Sequence, residues 1–146
     1  MTTMTELFSG VNFKSTIQKY CREIGWNIAE VNEDFARLVF TMQSGGDQIV
    51  IITRYGATLE FVAPSVVRVK SEDKVPDYIA RKLLLRNTEK RFGFWCLLKV
   101  DQADFILSYM HNAEIELLTT KYFAAIVRAL TEECDEFDTL YQKLLR

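Results

Sequence analysis

The chain has 146 residues, 49% of them hydrophobic, with ten Phe and six Tyr. One domain spanning 1–146 is expected, large enough to bury roughly 70% of its unfolded surface without staples. Lys plus Arg (18) nearly balances Asp plus Glu (20), and the resulting net charge of −2 excludes a broad electrostatic footprint for nucleic acid.

Met1 to Gly10 has no basic region followed by an apolar run, so no secretory signal is read there. In Phe13 to Ile24 the apolar residues Phe13, Ile17, Tyr20, Cys21 and Ile24 recur at helical steps. Asn12 is placed to cap that helix and Gly25 to stop it, because glycine enters the left-handed conformation at little steric cost. Trp26 to Val31 reads as a short extended lead and Phe35 to Met42 as a fuller strand. Ser44-Gly45-Gly46-Asp47 turns the chain into a strand over Gln48 to Arg54. Tyr55-Gly56-Ala57 turns it again into Thr58 to Val62, which completes an antiparallel meander. Pro64 argues against a long central strand, and Ser71 to Lys74 reads as a polar connector.

Pro76 suits the first turn of a second helix ending near Asn87. At 100° per residue, Ile79, Ala80, Leu83, Leu84 and Asn87 share its buried side. Phe92 to Val100 and Asp104 to Met110 form a hairpin around Asp101-Gln102. Asn112 is a candidate cap for the final helical run, whose stripe is Ile115, Tyr122, Ile126, Leu130, Phe137, Leu140 and Leu144. The periodicity leaves open whether that run is one helix or two broken near Thr131 to Asp138. The longest unbroken apolar runs, such as Leu83 to Leu85, are far too short to span a bilayer.

No chemistry-bearing motif accompanies these elements. His111 is the only histidine, and its position is expected to be an ordinary surface or boundary site. Cys21, Cys96 and Cys134 lie in apolar phases of three different elements and read as small core residues rather than zinc ligands. Three separated thiols with one left over fit a reducing compartment, and a cytoplasmic location is expected. Glu132, Glu133, Asp135, Glu136 and Asp138 lack the alternation and central glycine of a calcium loop and read as a solvated helix face, with Glu133 the exception by phase. Ser44-Gly45-Gly46 precedes a strand, so no helix dipole faces a phosphate there. No catalytic residue, metal site or cofactor is expected, and neither is a nucleic-acid or membrane partner.

Two surface patterns point to protein contacts instead. Tyr78 and Leu85, seven residues apart, fall together on the outer side of the second helix beside Arg81 and Lys82. In the hairpin, Phe92, Phe94, Cys96, Leu98 and Val100 share one face while Gly93, Trp95, Leu97 and Lys99 share the other. A strand apolar on both faces requires helices on both sides of the sheet or a partner on one. Tyr78, Arg81, Lys82, Leu85, Trp95 and Leu97 are therefore the candidate dimer or partner contacts, Trp95 because tryptophan is enriched among interface anchors.

The order helix, three main strands, helix, two strands, helix resembles the type III secretion chaperone-like fold shared by the YbjN-like bacterial proteins. The best local match is Leu83-Leu84-Leu85-Arg86-Asn87 followed by Gly93-Phe94 and the strand to Leu98. It continues through the Asp101-Gln102 turn to Tyr122–Leu145, with a looser match at Ile24-Gly25-Trp26. The resemblance implies a two-layer α+β fold, α-β(3)-α-β(2)-α, with a mainly antiparallel sheet. It also implies a non-enzymatic protein-binding or regulatory module, a homodimer with a protein or peptide partner, in which the middle helix contributes to the dimer contact. The mild charge and the extra lead Trp26 to Val31 depart from dedicated secretion chaperones and favour the YbjN-like side. The competing expectation is a small-ligand sensor or minor enzyme with a pocket between sheet and helices near Trp26, Phe94 and Trp95.

Overall fold

The computed structural model describes residues 12–101 and 103–144. The expectations for Met1 to Gly10, for Gln102 and for Leu145 lie outside the described residues. The elements are α1 (Phe13–Ile24), β1 (Glu30–Val31), β2 (Phe35–Thr41), β3 (Asp47–Tyr55), β4 (Thr58–Val69), α2 (Asp77–Asn87), β5 (Phe94–Val100), β6 (Asp104–Glu114) and α3 (Thr120–Leu144). Every ladder is antiparallel, in the order β1-β2-β3-β4-β6-β5. This is the expected α+β arrangement, with the Trp26 to Val31 lead contributing a two-residue edge strand.

Local chemistry sets the helix and turn boundaries. Asn12 accepts the Ser15 N–H at 2.9 Å, and Gly25 ends α1 at φ +90° with its own N–H on the Cys21 carbonyl. Gly56 (φ +62°) and Ala57 join β3 to β4 in a two-residue hairpin. α3 is one continuous helix of 25 residues.

The three helices of the described residues pack on one face of the sheet. Ala36, Leu38, Val50, Ile52, Leu59 and Phe61 point into that layer against Phe13, Ile17, Phe123, Ile126 and Leu130. Phe123, fully buried, meets the rings of Tyr20, Phe61 and Trp26. Burying one such side chain stabilises the fold by about 1.5–3 kcal/mol, and truncating Phe123 to Ala would cost about 3–5 kcal/mol. On the other face Ile51, Val62, Met110 and Phe94 lie in one cross-strand row. Among the described residues helices cover one face only; in the row on the other face Val62 and Met110 are buried while Phe94 is 38% exposed.

Four boundaries differ from those read in the sequence. β4 continues through Pro64 to Val69, although it lies between β3 and β6. Its pairing with β3 ends at Val62, so Pro64 has a neighbouring strand only at β6, and the register shifts between Pro64 and Arg68. The Val66 N–H freed by that irregularity is taken by the Asp138 carboxylate at 2.9 Å. β6 runs on to Glu114 with Asn112 opposite Glu60, so Asn112 caps nothing. Ile115 sits in a short 3-10 turn, and α3 starts at Thr120. Finally, Phe92 and Gly93 precede β5, and Leu84 of α2 is 66% exposed rather than buried.

Candidate functional site

α2 rests on the body through only two buried side chains, Ile79 and Leu83. Tyr78 (53% exposed) and Leu85 (64%) lie on its outward side, with Arg81 and Lys82 exposed beside them, as the helical period predicts. Between α2 and the end of α3 runs a groove of ≈ 350 Å³. Its α2 wall is Tyr78, Lys82 and Arg86, its floor Ile79 and Leu83, and its α3 wall Phe137, Leu140, Tyr141 and Leu144. Leu140 (49% exposed) and Leu144 (67%), read from sequence as core, extend the apolar surface of Tyr78 across onto α3. Their helical spacing shows that they share α3's apolar stripe, but not that the sheet ends before it reaches them.

Trp95 and Leu97 lie elsewhere. Trp95 is 5% exposed, enclosed by Tyr109 and Phe137, with its indole N–H on Glu133 at 2.8 Å. The alternation of β5 turns it to the helix-covered face, where it is buried apart from an edge that lines the same cavity as Leu97. Leu97 is half-buried and lines a ≈ 280 Å³ cavity with Ala80 and Leu84, on the side of α2 away from Tyr78.

The C-terminal half of α2 is held by polar contacts. Asn87 accepts the Trp95 N–H at 2.6 Å and donates to the Trp95 carbonyl at 3.2 Å, taking both backbone groups as a neighbouring strand would. Glu133, buried on α3, accepts from Arg86 Nε at 2.8 Å, from Arg86 Nη2 and from Trp95 Nε1, with Lys90 Nζ at 3.2 Å. Burial alone would raise the Glu133 carboxyl, but these donors outweigh it and hold the pKa below the ordinary range. The reciprocal hydrogen bond raises Arg86, and burial together with the Glu133 charge pushes Tyr109 up to about 12. The acidic segment is therefore divided: Glu132 and Glu136 are exposed and Asp135 is half-buried, but Glu133 and Asp138 are buried. Asp138 accepts from Gln48 Nε2 at 3.0 Å as well as from Val66, and burial raises its pKa.

His111 is a partly buried residue inside a strand, not at the point where the strand hands over to the last helix. It sits within β6 opposite Phe61, half-buried between Phe92 and Tyr122. Its Nδ1 accepts the Gly93 N–H at 3.1 Å, which assigns the ring proton to Nε2, 3.2 Å from the Tyr122 hydroxyl. Burial lowers its pKa. Cys21 and Cys134 are core residues, while Cys96 is half-buried with its thiol 3.1 Å from the Met110 sulfur. Burial pushes Cys21 and Cys96 each up to about 11, which disfavours the thiolate form of both. Among the described residues no group of three or more His, Cys, Asp or Glu side chains could hold a metal ion. No helix of the described residues is long and apolar enough to cross a membrane.

Trp26, Phe94 and Trp95 do not meet around a common pocket. Trp26 packs on Phe40 and Phe123, Trp95 on Phe137 and Tyr109, and Phe94 lies on the face away from the helices.

Among the described residues an antiparallel sheet carries helices on one face, with exposed apolar side chains on the outer side of the middle helix, and this defines an α+β scaffold. The chain has the YbjN-like fold: it is similar to the crystal structure of YbjN, a proposed transcription regulator from E. coli, with a TM-score of 0.58 and 18% sequence identity. The match covers 89% of this chain and 90% of that one. No family model and no curated protein sequence matches the chain.

Proposed function

We propose that this protein is a non-enzymatic protein-binding or regulatory module, acting as one domain in the cytoplasm and assembling as a homodimer through the outward side of α2. The observation that carries this reading is the exposed apolar surface formed by Tyr78, Leu140 and Leu144 at the α2–α3 groove, with Leu85 exposed further along the outer side of α2, and no side chain of the described residues folded over it. Tyr78 and Leu85 lie about 10.5 Å apart along the helix axis. Two α2 helices related by a two-fold axis and running antiparallel would set Tyr78 of one copy against Leu85 of the other, twice over, as an isologous contact requires. The aliphatic stems of Arg81 and Lys82 would extend that contact while their charges stay in water. The regulatory description of the YbjN neighbour is in keeping with this reading.

Light scattering at low micromolar concentration tests it. The protein should have the mass of a dimer, and Tyr78→Asp combined with Leu85→Asp should give a folded monomer. An unaltered dimer mass in the double variant would remove the proposed contact, and a monomeric parent protein would remove the dimer.

The second reading is a small-ligand sensor. The groove between α2 and α3 favours it, since ≈ 350 Å³ of mainly apolar space falls within the range of small-molecule sites. A ligand there would raise the melting temperature by mass action, and a diverse metabolite panel that leaves it unmoved counts against a sensor.

A further inference from the structure

We infer that Glu133 is a positioning residue for the α2 contact surface, fixing the roll of α2 and thereby the direction in which Tyr78 and Leu85 point. The inference rests on the α2 reading above. Two buried apolar side chains, Ile79 and Leu83, hold α2 down but give little direction, because apolar contact is non-directional. At the N-terminal end Pro76 supplies no side-chain cap hydrogen bond. Directionality comes from the other end. The Glu133 side chain, 3% exposed, takes donors from three separate segments: Arg86 on α2, Lys90 in the connection after it, and Trp95 on β5. Arg86 engages it with two guanidinium nitrogens, a planar geometry that fixes orientation as well as distance. A rotation of α2 that withdrew Arg86 would leave a buried carboxylate short of donors, which is strongly unfavourable. Arg86 lies between Leu85 and Asn87, and the Asn87 amide holds both backbone groups of Trp95. The residue before Asn87 and the residue before Arg86 are therefore oriented together. Phe137 packs its ring at a tilt against Trp95 from α3 and completes the enclosure.

The test combines amide hydrogen exchange with solution mass on the full chain. Glu133→Gln should raise exchange in residues 78–90 by about tenfold or more, the equivalent of losing one hydrogen bond to a charged group. Amides of β3 and β4 should keep their protection, and dimer dissociation should shift to about tenfold higher concentration. Arg86→Gln, made from the less buried partner, should do the same and serves where Glu133→Gln fails to fold. A merely structural role would raise exchange throughout the sheet and leave association of the folded protein unchanged, and either result overturns the inference. Unaltered exchange in α2 overturns it as well. A monomeric parent protein would instead defeat the dimer reading, and the exchange measurement would still decide the role of Glu133 in seating α2.

Discussion

Gly93→Ala adds one methyl group where neither the backbone nor the surrounding space accepts it. Gly93 has φ +88°, and a Cβ built there would lie 2.5 Å from Cε2 and 2.8 Å from Cζ of Tyr109. A non-glycine residue in this region costs about 1–2 kcal/mol by itself. Tyr109 is fully buried, its ring against Trp95 and its hydroxyl on the Phe92 carbonyl, so it cannot swing away without losing both. Overpacking of that kind adds about 1–3 kcal/mol, for a total of about 2–5 kcal/mol. Gly45 supplies the control: its φ is +92°, with nothing within 4 Å of a Cβ. Gly45→Ala should therefore cost only the backbone contribution of about 1–2 kcal/mol. Urea unfolding followed by tryptophan fluorescence measures both, and at an m-value of about 2 kcal/mol per molar the gap between the variants is about 0.5–1.5 M in midpoint. Equal midpoints for the two variants would refute the argument that Tyr109 enforces glycine at position 93.

Two further outcomes follow from the buried polar groups. Asp138→Asn keeps an acceptor for the Val66 N–H and lets the Gln48 amide turn, so it should change stability by less than about 1 kcal/mol, whereas Asp138→Ala strands both groups and should cost about 2–4 kcal/mol in the same unfolding assay. Because the folded pKa of Asp138 is raised, the parent protein binds this proton more readily than the unfolded chain, and Asp138→Asn should flatten the gain in stability that this carboxyl contributes as pH falls through its folded pKa. His111 has the opposite sense: its folded pKa is depressed, so its contribution is complete above the unfolded value of about 6.5 and is lost as pH falls from there toward the folded value. Protonation would also set an Nδ1–H against the Gly93 N–H. Melting temperatures from pH 7.5 to 5 should accordingly fall less steeply for His111→Gln than for the parent protein, and parallel curves would contradict the assignment.

The sequence by itself determined the parts of this protein that depend on near neighbours. The period of α1, its Asn12 cap and Gly25 stop, the Gly45 and Gly56 turns, and the outward phase of Tyr78 and Leu85 on α2 are all set within a few residues, and they were legible for that reason. The alternation of β5 was legible too, but it only separated Trp95 from Phe94. It could not say which of them the helices cover, because that depends on where α2 and α3 land. Long-range partners decided the rest. Pro64 stands inside β4 because β3 has already left it and because Asp138, 72 residues beyond Val66, takes the freed N–H. The helical phase set Glu133 apart from the solvated acidic face but not Asp138, and the partners that make burial of the two tolerable are Arg86, 47 residues away, and Gln48, 90 residues away. The placement of β6 between β4 and β5 likewise comes from pairing across the sheet. Local periodicity reports which way a side chain points along its own element. Only the tertiary structure supplies what it meets there, since hydrogen bonds and burial join residues whose separation in sequence carries no trace of their contact.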